Sequence, residues 1–267
     1  MGTKPERWIP GLNNRHCSNA IRILCFPFAG GGASAFNHCA ESDRDLFQLC
    51  AVQYPGRESR WGEPSFASLR DMVDAMAEDL SPLWEGAFAF WGHSFGGLVA
   101  FELSKNLLRC GFHLPECLFI SAARAPHLPA REQIHHLPDA EFLQKLREFE
   151  GMSEEVMESP DLLSVVLPIV RGDFHLFEQH RADEIKPLPI PISVFGGLQD
   201  TEVTVGDVLA WSSHTTKTFR SRFFEGNHFF AFDPRTGKQV IKCIAEDLQF
   251  SGGAPVSLAQ KGVLMNE

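Results

Sequence analysis

Phe88-Ala89-Phe90-Trp91-Gly92-His93-Ser94-Phe95-Gly96-Gly97 is the stretch that decides how this chain folds. An apolar, aromatic run over Phe88 to Trp91 predicts a buried strand, and the residues from Gly97 to Leu108 carry a helical period. Between them lies a G-x-S-x-G pattern. Small residues at Gly92 and Gly96 let the chain turn sharply and hold Ser94 on a strained corner, with its hydroxyl clear of the sheet. A strand before and a helix after are the context that a nucleophile elbow requires.

Working outward, short β-branched and aromatic runs recur at Ile21 to Phe26, Leu49 to Tyr54, Ala87 to Trp91, Cys117 to Ser121, Ile190 to Phe195 and Phe219 to Phe224. None alternates cleanly between apolar and polar, so they read as strands buried on both faces. Phe66, Leu69, Met72, Val73, Met76, Leu80 and Leu83 form a helical stripe between the second and third, with Ser68 and Asp71 as its capping box. Strand alternating with helix predicts an α/β fold, a mostly parallel sheet flanked by helices, with ligands at the carboxyl ends of the strands. Arg124 to Pro187 breaks the rhythm. It offers no strand but two helical patches, one around Phe142, Leu143, Leu146 and Phe149, the other over Leu162 to Val170 with Pro168 interrupting it, and reads as a helical lid inserted over the sheet. A single domain over residues 1–250 is expected, with 251–267 as a loosely held tail.

Composition removes several classes of function. A chain of 267 residues, 44% hydrophobic, can bury one substantial core. A net charge of -10 with no dense Lys/Arg cluster argues against nucleic acid. The seven cysteines, at positions 17, 25, 39, 50, 110, 117 and 243, show neither a C-x-x-C pair nor metal-ligand spacing, so they read as reduced thiols and no metal is expected. Met1 to Pro10 lacks a secretory pattern, Glu6 stands where a myristoylation motif needs Ser or Thr, and no run approaches a bilayer span. A cytoplasmic, monomeric enzyme without a membrane association or a cofactor is the resulting expectation.

A serine hydroxyl needs a histidine as general base and a carboxylate to fix that imidazole. In this arrangement the chain order is Ser, then Asp or Glu, then His. Of the 11 histidines, His228 stands out, because it lies in Glu225-Gly226-Asn227-His228-Phe229-Phe230, a loop after the last strand. The carboxylate belongs in the loop after the preceding strand, where Gly196-Gly197-Leu198-Gln199-Asp200 gives Asp200, with Glu202 and Asp207 as competitors. Two backbone amides should hold the oxyanion: that of Phe95, just past the nucleophile, and one from Pro27-Phe28-Ala29-Gly30-Gly31-Gly32 after the first strand. That glycine-rich loop has neither the spacing of a dinucleotide fingerprint nor a following Gly-Lys-Ser/Thr.

Together these pieces resemble the type II thioesterases, stand-alone enzymes of the α/β-hydrolase fold that accompany non-ribosomal peptide and polyketide synthases and are related to the medium-chain fatty-acid synthase thioesterase. The resemblance rests on Leu24-Cys25-Phe26-Pro27-Phe28-Ala29-Gly30-Gly31, Tyr54-Pro55-Gly56-Arg57-Glu58, Gly92-His93-Ser94-Phe95-Gly96-Gly97, Arg171-Gly172-Asp173-Phe174, Gly196-Gly197-Leu198-Gln199-Asp200 with Trp211, and Asn227-His228-Phe229-Phe230. It implies the triad Ser94, Asp200 and His228 and places the second oxyanion amide on Ala29, with Phe28 as the neighbour. Two departures stand out, Asn227 where the family usually has Gly and Gly172 where it usually has Ala. The resemblance further implies acyl groups held as thioesters on the phosphopantetheine arm of a carrier protein. The apolar lid suggests a fatty or polyketide-like acyl group, and Arg57, Arg60 or Arg124 are candidate contacts for an acidic carrier. A general carboxylesterase or lipase, or an acyltransferase or cyclase, would use the same triad.

Overall fold

The computed structural model describes residues 3–12, 20–39, 47–128, 132–149, 151–152, 154–181 and 184–251. The tail expected at 251–267 lies, but for its first residue, outside them. Six strands, β1 (Ile21–Phe26), β2 (Phe47–Ala51), β3 (Phe88–His93), β4 (Leu118–Ser121), β5 (Ile192–Gly197) and β6 (Phe219–Phe224), form one sheet in the order β2-β1-β3-β4-β5-β6. All five pairings are parallel.

Both faces of the sheet are covered, which is why its strands read as continuous apolar runs. Leu24, Phe26, Phe88, Phe90 and Ile120 enter one core, while their neighbours Ile23, Cys25, Ala89, Trp91 and Phe119 enter the other. The first core is closed by α1 (Lys4–Trp8), α2 (Leu69–Asp79) and α3 (Phe95–Cys110), the second by α8 (Thr236–Ser251) and a 3-10 segment at Ala33–Cys39. The six described cysteines are free thiols, and Cys25, Cys39, Cys50 and Cys117 are buried. No described helix is long and apolar enough to cross a membrane.

The lid consists of α4 (Asp139–Glu148), α5 (Glu154–Glu158) and α6 (Pro160–Gln179) around a small core of its own, with Ile134, Phe142, Leu146, Met157, Leu167 and Val170. The short α7 (Val205–Leu209) follows β5.

Three local details differ from the sequence reading. α6 runs unbroken through Pro168. A proline removes one ladder bond, but Leu167 and Val170 on either side are packed into the lid core and hold the helix together. β2 ends at Ala51 instead of Tyr54, because the Gln53 amide leaves the sheet to bond the Trp8 carbonyl at 2.7 Å. Ser68 caps α2 through the Asp71 amide at 3.1 Å, yet the returning Asp71 carboxylate takes the Ser68 hydroxyl, not its amide, so only half of a capping box forms.

Strand order reverses between β1 and β3, and the crevice beyond such a switch point is where an open parallel sheet binds its ligand. There the first turn of α3 lies against the end of β1. A Cβ on Gly96 would collide with the Phe26 carbonyl, and one on Gly92 with the Gly96 carbonyl. Since backbone atoms cannot rotate out of the way, Gly96→Ala is expected to destabilise the fold by at least about 3 kcal/mol, seen as a lower denaturant midpoint at unchanged slope.

Candidate active site

Ser94 sits between β3 and α3 with φ +54° and ψ -118°, a backbone that a residue with a side chain rarely adopts. The strain is held by the glycines on either side and by the Ser94 amide, which donates to the Ser121 carbonyl at 2.8 Å. Its hydroxyl lies 2.9 Å from Nε2 of His228, and Nδ1 of His228 lies 2.9 Å from Oδ2 of Asp200. Residues 134 positions apart are thus within hydrogen-bond reach.

Each partner is itself oriented. The Asp200 side chain is fully buried, and its other oxygen accepts the amides of Glu202 at 2.8 Å and Val203 at 3.0 Å. Of the competitors, Glu202 therefore supplies an amide to Asp200, while Asp207 caps α7 with Thr204 and pairs with Arg124 at 2.9 Å. The His228 loop is tightened by Asn227, whose side chain accepts the Phe229 amide at 2.9 Å. This departure from the family pattern supplies a turn-forming bond of its own. Gly172 has room as well, since a Cβ there would meet the Ser65 hydroxyl only at 3.7 Å.

Beneath His228 lies His93, with ring centroids 5.5 Å apart and Phe229 and Phe232 also against it. Burial first, and then the charge that His228 can carry, hold His93 well below its ordinary imidazole range. It is a neutral platform, tied through Nδ1 to the Ser121 hydroxyl at 2.9 Å.

The loop after β1 is fixed from two sides. From the segment after β2, the Tyr54 hydroxyl donates to the Pro27 carbonyl at 3.3 Å, Arg57 to the Gly31 carbonyl at 3.2 Å, and Gln53 accepts the Ala33 amide at 3.0 Å. From the lid, Asp173 on α6 accepts the Gly30 amide at 2.7 Å and forms a buried two-armed ion pair with Arg57. The Gly30 amide is thereby taken up by Asp173. Ala29 and Ser94 line the same cavity, of about 620 Å³, with Leu98 and the lid residues Val170, Phe174 and Phe177 among its other walls. Phe95 is the first residue of α3, where a helix leaves its amides without intrahelical partners.

The arginines suggested as carrier contacts are placed otherwise. Arg57 and Arg60 are only 5% and 6% exposed, and Arg60 packs over the Trp8 ring at 4.3 Å. Arg124 is held by Asp207 in the cavity wall. Arg57 braces the loop after β1, Arg124 stands in the cavity wall and Arg60 ties Gln53 and Glu63, and the sequence could not separate these roles from a surface one. The role of Asp173 was likewise invisible, although it falls in one of the motifs.

Residues 21–248 match the family model of the thioesterase domain. This chain belongs to that family. Among curated relatives, the gramicidin S biosynthesis protein GrsT of Aneurinibacillus migulanus is 35% identical, over 86% of this chain and 90% of its own length. A protein of Brevibacillus parabrevis named linear gramicidin dehydrogenase LgrE is 37% identical, over 92% and 94%. Among solved structures, the type II thioesterase BorB of the borrelidin biosynthetic cluster superposes with a TM-score of 0.80 at 31% identity, covering 93% of this chain and 99% of that one. The thioesterase RedJ of prodiginine biosynthesis in Streptomyces coelicolor gives 0.81 at 31%, covering 86% and 91%. The fold is that of the α/β-hydrolases, and the protein is an enzyme acting on thioesters.

Two outcomes follow from this geometry. Asp173→Asn leaves the Arg57 charge buried without its partner and should lower stability by about 3 to 5 kcal/mol, measured by denaturant unfolding. The second concerns acid. Burial, then the nearby charges of His127 and Lys105, lower the His214 imidazole from 6.5 to about 4. Between those values the unfolded chain binds a proton that the folded chain refuses, so this contribution is whole above pH 6.5 and is lost as pH falls toward 4. The melting temperature should therefore drop on acidification through this window, and His214→Phe should remove part of that slope.

Proposed function

We propose that Ser94, His228 and Asp200 are the catalytic triad of a type II thioesterase that removes acyl groups from the phosphopantetheine thioester of a carrier protein. The observation that supports this most is the pair of 2.9 Å contacts joining the three side chains at the wall of a cavity large enough for an acyl group. The Ser94 oxygen attacks the thioester carbonyl while His228 takes its proton, and Asp200 steadies the imidazolium. Negative charge developing on the carbonyl oxygen is met by the amides of Phe95 and Ala29. As the tetrahedral intermediate collapses, the carbon–sulfur bond breaks and His228 returns the proton to the leaving thiol. Water then repeats the sequence on the acyl-enzyme, giving the free acid and regenerating the hydroxyl.

Support for the carrier comes from the relatives, several of which carry names from peptide or polyketide biosynthesis. The dehydrogenase name of one relative finds no counterpart in the loop after β1, which lacks the glycine spacing of a dinucleotide site. Removal of stalled or wrong acyl groups is the task proposed for the enzyme.

Labelling with a fluorophosphonate should modify the wild-type protein and not Ser94→Ala, whose turnover of an acyl-loaded carrier should fall about ten-thousand-fold or more at unchanged melting temperature. Much faster turnover of a simple nitrophenyl ester than of the loaded carrier would overturn the carrier assignment in favour of a general esterase.

A further inference from the structure

The cavity beside Ser94 has a mixed wall. Phe28, Leu98, Val170 and Phe174 give it an apolar part, and Arg124 and Lys145 are among its charged residues. The wall also includes His127, whose ring lies 4.9 Å from that of His214. His214 packs edge-on against Phe101 at 5.0 Å.

The two rings share one proton, across a 2.7 Å contact between Nδ1 of His127 and Nε2 of His214. His214 is 2% exposed, is kept neutral by its burial, and its Nδ1 has no partner among the described residues. Were His127 the donor, His214 would carry its own hydrogen on Nδ1, and an N–H would be orphaned in the core. With His214 as donor, only a lone pair is left there, which is the lesser penalty, since orphaned buried donors are the rarer case. His127 Nδ1 then accepts, and its remaining hydrogen must sit on Nε2. Protonating His127 leaves a hydrogen on Nε2 as well. In either state His127, a residue of the cavity wall, carries a hydrogen on Nε2.

We propose that His127 is a recognition residue for the acyl tail, so that the cavity prefers chains bringing an acceptor oxygen, as a ketone, hydroxyl or amide, to its Nε2–H over hydrocarbon chains of equal length. This rests on the thioesterase reading and narrows its substrate class. A saturated tail displaces water from the donor and offers nothing in return, whereas an oxygenated tail replaces the lost hydrogen bond. The shared proton matters to the selectivity, because it fixes which ring nitrogen carries the hydrogen.

The test uses the full-length protein and two pantetheine thioesters, a saturated medium-chain acyl group and its equal-length analogue with a ketone near the far end. The readout is the ratio of their kcat/KM values, which is independent of the fraction of active enzyme in a preparation. Wild type should favour the ketone by about tenfold, the worth of one well-placed hydrogen bond. His127→Phe should bring the ratio near one, and His214→Leu, which frees the tautomer, should give an intermediate ratio. A wild-type ratio of one or less overturns the proposal even if neither variant folds, and so does a ratio unchanged in folded His127→Phe. Cleavage of both thioesters without preference would leave the thioesterase assignment standing, while cleavage of neither would remove that assignment and this one together.

Discussion

Everything at the reaction centre depends on the close approach of two backbones, the first turn of α3 and the end of β1. Only a residue without a side chain fits at Gly96, because the Phe26 carbonyl occupies the space that a Cβ would need. That approach puts the amide of Phe95 and the loop from Pro27 onward on the same side of Ser94. It also accounts for the left-handed backbone at Ser94, which would be too strained to persist in an open turn and is held here by the packing around it. The placement of Ser94 and that of the loop after β1 are therefore one steric fact.

Much of this was legible in the sequence. The inner strands were readable because sheet residues buried on both faces leave an apolar signal, and β1 and β6 were placed to the residue, β6 although Arg220, Ser221 and Arg222 interrupt its apolar run. The convergence of Ser94, Asp200 and His228 was readable because each follows a strand in the order that a parallel sheet imposes on residues meeting at its carboxyl edge. What escaped were features set by pairing across long chain separations. Arg57 looks like a surface charge until Asp173, 116 residues away, is folded against it. His127 and His214 carry no motif and acquire meaning only as a pair 87 residues apart. Pro168 misled for another reason: local propensity argued for a break, and lid packing overrode it.

Charge is distributed in the site with the same economy. Asp200 is buried but bonded by two amides and an imidazole, so its negative charge is met in place. His93 touches His228 and is kept neutral, so no second positive charge lies beside that imidazole. An aromatic platform of neutral rings lets the imidazole above it change protonation state without a rearrangement below.

The ion pair between Arg57 and Asp173 bears on how this architecture can change over evolutionary time. Because an acid on the lid grips both the arginine and the amide of Gly30, the inserted helices are not an interchangeable cassette clipped onto a finished hydrolase. Grafting a foreign lid onto this scaffold would require an acid at the same place, or else compensating changes in two other segments. Diversification of substrate range is accordingly freer in α4 and α5, which take no part in that grip, than in the middle of α6.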